Sequence, residues 1–215
     1  MNFSNSNQQE NQGTQKTFWE REYELLVQGL ESVFDFQQWK FQHTYTRVSE
    51  NSSPYVIYAS EWCKVRFALK GGDMHRPNEM SVDYGRLHAP DDDKYFVWNN
   101  EKCRAWHRVN EALYFLDGLS LKEVAEKRQV RHEFPDSIQQ FRNSELGQKV
   151  LPDGYQTVEG VARLHFSIWE CYGIRLFELF DLRRPDLWDQ FTPFLSEYHK
   201  SLPTIRGFPA PDKNC

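Results

Sequence analysis

Hydrophobic positions recur along this chain with two different periods, and the change from one to the other divides it into parts. From Thr17 the period is helical: Trp19, Tyr23, Leu26, Val27, Leu30, Val33 and Phe34 fall on one face, and Thr17 with Glu20 has the spacing of a capping box. This predicts an amphipathic helix over 17–36. From Trp39 the pattern alternates, with Trp39, Phe41, His43 and Tyr45 on one parity and Lys40, Gln42, Thr44 and Thr46 on the other, which predicts a strand. Asn51-Ser52-Ser53-Pro54 reads as a turn, YVIYA as a second strand, and Ser60-Glu61 as another turn. A third strand carries Cys63, Val65, Phe67 and Leu69 against Lys64, Arg66 and Lys70, and ends at Gly71-Gly72-Asp73. A fourth is expected from about Glu79 to His88, with Val82 and Tyr84 on one parity, and YFVW at 95–98 is a candidate fifth.

Beyond Asn99-Asn100 the period returns to helical. Cys103, Trp106, Val109, Leu113 and Leu116 form a stripe, Ser120 and Glu123 repeat the capping-box spacing, and further helices are expected over 136–145, 157–180 and 185–201. Strands come first and helices second. The fold class is therefore α+β: an N-terminal helix, an antiparallel four- to five-stranded meander over 38–98, and a helical half over 100–201 packed on one sheet face. Residues 17–202 are expected to form one domain. Residues 1–16, rich in Asn, Gln and Ser, have almost nothing to bury and are expected to be disordered, and 203–215 are read as a C-terminal tail.

Composition narrows the function. A chain of 215 residues with sixteen Phe, ten Tyr and seven Trp has ample material for a core, and such an aromatic excess often leaves rings on the surface for a partner. The net charge of −5 disfavours a general nucleic-acid binder, because such proteins gather excess Lys and Arg to displace counterions. The cysteines at 63, 103, 171 and 215 are widely spaced, form no CxxC pair and suit reduced thiols in the cytoplasm. Cys63, Cys103 and Cys171 fall on apolar periodicities, where a thiol behaves as a small hydrophobe. No apolar run approaches the roughly 20 residues that cross a bilayer, and no signal peptide is evident.

The stretch MSVDYGRLHAPDDDKYFVWNN, residues 80–100, concentrates the candidate chemistry. The leading expectation is a recognition surface at a hairpin end, made by Tyr84, Arg86, His88, Asp91, Asp92 and Asp93, on a non-enzymatic module that binds another protein without a cofactor or metal. The alternative is a metal-dependent hydrolase or nuclease using His88, Asp91, Asp93, His107 and Glu111, with His107 and Glu111 four apart on one helix face. Asp83, Asp91 and Asp93 supply oxygen ligands for a divalent cation but lack the glycine and distal glutamate of an EF-hand loop. Cys103, His107 and His88 are zinc-ligand types without a diagnostic spacing. A third reading places Trp62, Lys64, Arg66 and Lys70 on an open sheet face that stacks and neutralises single-stranded nucleic acid. Residues 119–130 begin like a helix-turn-helix segment, but Pro135 would break the second helix.

Overall fold

The structure, a computed structural model of the chain, describes residues 17–49, 52–69, 80–98, 101–120, 123 and 158–201. The expected class holds: an N-terminal helix, a five-stranded antiparallel sheet and a helical C-terminal half. Helix α1 (Phe18–Glu31) starts at the predicted box, with the Thr17 hydroxyl accepting from the Glu20 N–H at 3.3 Å and the Glu20 carboxylate accepting from the Thr17 N–H at 2.7 Å. Strands β1 (Gln42–Ser49), β2 (Ser52–Ala59), β3 (Lys64–Leu69) and β4 (Met80–Gly85) follow, each antiparallel to the one before. The tails, Lys70, Gly71-Gly72-Asp73, the short helix LKEVAEKR expected at 121–128 apart from Glu123, and the helix expected at 136–145 lie outside the described residues.

Several boundaries differ from the expectation: α1, expected to 36, ends at Glu31, and β4, expected to about His88, ends at Gly85. Residues 36–40 form a turn rather than the start of a strand, with Lys40 at a φ of 57°, and β1 begins only at Gln42. The pairing shifts between His43 and Tyr45, a β-bulge, so the single parity drawn through both does not hold: His43 sits edge-on to Tyr58, whereas Tyr45 stacks on Tyr55. Pro54 lies within β2, beside the second irregularity between Arg47 and Ser49, where a missing N–H is tolerated. The fifth strand of the sheet is not YFVW. Strand β5 (Tyr95–Trp98) pairs instead with β6 (Glu101–Arg104) as a separate hairpin, and the sheet is completed by β7 (His107–Arg108) beside β4. The helix expected from Asn99-Asn100 therefore begins at α2 (Val109–Leu116), and Cys103 and His107 belong to strands.

Two long helices close the molecule. Helix α3 (Val158–Glu178) is interrupted at Gly173, whose φ of 46° and ψ of −125° lie in a region that favours glycine, against the Trp39 ring. Helix α4 (Pro185–Ser201) begins on a proline at its first turn. Helices α1, α2 and α3 lie on one face of the sheet, where Val56, Tyr58, Val65, Phe67, Val82 and Tyr84 meet Leu26, Leu30, Leu113, Leu164 and Ile168 in the main core. Trp169 is its centre, with Phe34, Phe41 and Phe177 ring centroids at 4.8, 4.9 and 5.2 Å. The opposite face is covered too, by the loop after β4 and by the β5–β6 hairpin: Tyr55 and Ile57 pack with Ala89, Ala105 and Trp106 in a second cluster that Tyr45, Ala68 and Phe96 border.

Candidate functional site

The stretch that drew attention in the sequence starts inside the sheet. Tyr84 is fully buried on the helix-covered face and accepts a hydrogen bond from the Trp169 indole N–H at 2.6 Å, and burial pushes its hydroxyl well above the usual range. Tyr84 is thus a core residue, not part of a presented surface. Gly85 ends the strand where the chain crosses closely over residues 105 and 106; a Cβ there would lie 2.7 Å from the Ala105 carbonyl oxygen. Arg86 to Ala89 then turn back, with the Ala89 N–H donating to the Arg86 carbonyl at 3.0 Å.

The three aspartates do not share one environment. Asp91 pairs with Lys64 at 2.6 Å, and the same ammonium donates to the Ala89 carbonyl at 2.7 Å. Asp92 accepts from the Tyr45 hydroxyl at 2.8 Å, from the Arg47 guanidinium at 3.2 Å and from the Tyr55 hydroxyl. These donors, Tyr55 foremost, hold the Asp92 carboxyl below its ordinary range. Burial, and then the bond to Asp92, push the Tyr55 hydroxyl up to about 12. Asp93 is exposed. The acidic run expected to be a free recognition loop is consequently a clamp that fastens the loop onto strands β1 to β3.

That clamp occupies the face on which single-stranded nucleic acid was expected to stack. Arg66 pairs with Asp83 across the ladder at 2.9 Å and lies 4.6 Å over the Trp106 ring, while Lys64 is engaged as above. Trp62 is on the other side altogether, stacked on Phe177 at 5.9 Å against the main core. Trp62, Lys64 and Arg66 therefore form no continuous basic and aromatic platform, and Lys70 lies outside the described residues.

His107 and Glu111 do come together, for a reason other than a shared helix face. His107 ends the sheet, Glu111 lies in the first turn of α2, and the carboxylate reaches back to accept the Arg108 N–H at 3.2 Å. Glu111 is 3% exposed; burial raises its pKa, while the nearby Arg104 opposes that rise. Arg104 approaches it at 3.3 Å and His199 of α4 at 3.5 Å, and His107 Nδ1 stands 3.9 Å away. Burial, followed by the charge of Arg104, holds His107 down to about 3, so it is neutral. This is a buried carboxylate neutralised by one arginine rather than a ligand set. Asp91, Asp93 and His88 do not join it, and among the described residues no group of three His, Cys, Asp or Glu is placed to hold a metal ion.

Between the turn after β4, strand β6 and helix α4 lies a narrow cleft that opens to solvent and encloses room for about one water molecule, lined by Arg86, His88, Phe96, Cys103, Arg104 and Trp188 as well as Ala89. Arg86 lies 4.7 Å over the Trp188 ring, and burial lowers its pKa. Burial and the charges of Arg86 and Lys64 also lower that of His88. Of the thiols, Cys63 is buried, Cys103 lines this cleft, and Cys171 is exposed on α3 despite its apolar periodicity. Arg104, Trp188 and His199 were not singled out from the sequence. The signal available was the run Glu101 to Arg104, in which charged residues alternate with Cys103 after a two-residue break, a hairpin pattern.

No protein-family model, curated protein or solved structure matches the chain. Among the described residues, no helix is long and apolar enough to cross a membrane.

Proposed function

We propose that the chain is a non-enzymatic, cytoplasmic protein-binding module, an adaptor, inhibitor or regulatory subunit, whose contact surface is the outer side of the β5–β6 hairpin. The observation that supports this reading is Val97, 72% exposed on a paired strand that stands outside the five-stranded sheet. An apolar side chain held in place by backbone pairing loses little freedom on association, and hence contributes more of its burial to binding. Next to it Tyr95 lies between Lys94 and Lys102, whose ammonium groups are 5.2 and 4.5 Å from its ring. An aromatic anchor with a cationic rim suits an acidic partner surface with an apolar centre. Arg86, His88, Asp91 and Asp92 serve this surface indirectly by fixing the loop from which the hairpin springs, and Asp93 lies at its edge.

The experiment is capture from an extract of the source organism with wild-type protein, followed by affinity measurement on the purified partner with Val97→Asp and Tyr95→Ala. Both substitutions alter exposed or half-exposed positions, so unfolding curves should overlay that of the wild type. Partner affinity is expected to fall by about tenfold or more. Undiminished affinity in both variants would reject the hairpin as the contact surface.

A further inference from the structure

We infer that the cleft between the turn after β4, strand β6 and helix α4 binds a small oxyanion, a carboxylate or phosphate group, through the guanidinium of Arg86. Arg86 is half-buried, its Nε is buried without a hydrogen-bond partner, and no carboxylate among the described residues lies within ion-pair distance of it. The Cys103 thiol of the same cleft, then Asp189 and Asp181, favour its charge without pairing with it, and Asp181 is engaged by Arg183 at 2.7 Å. Four cations around this loop have their acids: Lys64 has Asp91, Arg47 has Asp92, Arg66 has Asp83 and Arg104 has Glu111. The Nε N–H, shielded from water without a partner, is the unfavourable part of this half-buried group, and proteins ordinarily pair such a donor.

Geometry specifies the complement. Arg86 Cζ lies 4.7 Å over the Trp188 ring, and a guanidinium held on an aromatic ring keeps its fork of N–H groups for a ligand. That fork matches the two oxygens of a carboxylate or phosphate. Arg104, paired with Glu111, borders the same cleft from β6, and His88 lines it with a ring nitrogen donor or acceptor. Phe96 and Trp188 form apolar walls that keep the local dielectric low and strengthen the contact. Because the cleft encloses room for only about one water, the oxyanion sits at its open mouth, which suits a terminal group or a small free anion. This inference does not depend on the hairpin being a partner surface.

The test is thermal unfolding and arginine side-chain ¹⁵N NMR of the full chain, titrated with low-millimolar inorganic phosphate or acetate at constant ionic strength. Saturable stabilisation and a shift of the Arg86 Nε resonance are expected with at least one of the two anions, and which one acts separates a phosphate from a carboxylate ligand. Arg86→Gln should weaken the response about tenfold, whereas Arg163→Gln, on the far helix α3, should leave it intact. If Arg86→Gln does not fold, Arg86→Lys keeps the charge and loses the fork, and should weaken the response while remaining folded. The inference is overturned if neither anion produces a saturable response, or if the response survives loss of the Arg86 fork.

Discussion

The indole N–H of Trp169 and the hydroxyl of Tyr84 meet at 2.6 Å in the middle of the core, joining helix α3 to the fourth strand by a hydrogen bond between two fully buried side chains. Tyr84→Phe keeps the ring that stacks on Phe180 at 5.7 Å and removes only the acceptor. A buried donor left without a partner costs about 1–3 kcal/mol, and urea unfolding should show a loss of that size. A change near zero would mean that the indole finds another acceptor.

Phe67 and Lys64 lie on opposite faces of one strand, and their truncations should differ accordingly. Phe67 is fully buried against Phe34 at 5.4 Å and Tyr58 at 6.0 Å, so Phe67→Ala should cost about 3–5 kcal/mol. Lys64→Ala leaves Asp91 and the Ala89 carbonyl without their shared donor, and about 1–2 kcal/mol is expected, more than for a solvated lysine. Equal losses would show that the two faces are not separated as described.

Alternation in β3 was sufficient to assign those faces, because one strand face of apolar residues has a single stable direction. The helical stripe of α1 and its capping box were equally legible, for both are local. Less legible was the covering of the second face. Lys64, Arg66 and the aspartates read as solvated because each is charged, and only tertiary contact reveals that their partners are one another. The segment from Cys103 to Trp106 misled for a different reason: Cys103, Trp106 and Val109 fit a helical spacing by coincidence, while the strand pairing that decides their state involves β4 and β5, outside that window. No window of sequence shows that His199 approaches Glu111 at 3.5 Å, since α4 lies far along the chain.

The aspartates themselves should separate by role. Asp92→Asn weakens the acceptor shared by Tyr45, Tyr55 and Arg47, so amide exchange in residues 86–94 and in the adjoining hairpin should accelerate. Its side chain is partly exposed, and the global cost should be only about 1 kcal/mol. Asp93→Asn, at a solvated position, should leave both exchange and stability unchanged. Accelerated exchange in Asp93→Asn alone would reverse the assignment of the clamp.

Two buried histidines make the fold sensitive to acid. His107 and His165 are held at about 3 by burial, His107 also by the charge of Arg104, whereas both start from 6.5 in an unfolded chain. Between those values the unfolded state binds protons that the folded state does not, so stability falls as pH falls. Linkage gives a loss of about 2 kcal/mol per histidine on going from roughly pH 7 to 5. Glu111 contributes with the opposite sign: its folded pKa is raised above 4.5, so acidification relieves a buried carboxylate and offsets part of the loss. His165 is the simpler probe, since burial alone lowers it and no ion pair complicates its removal. His165→Asn should lower stability at neutral pH through a packing defect, yet reduce the loss between roughly pH 7 and 5 by about 2 kcal/mol. The slope, not the absolute stability, is the reading that counts. An unchanged slope in urea unfolding across that range would show that His165 already takes up its proton in the folded protein, and that the acid sensitivity resides elsewhere.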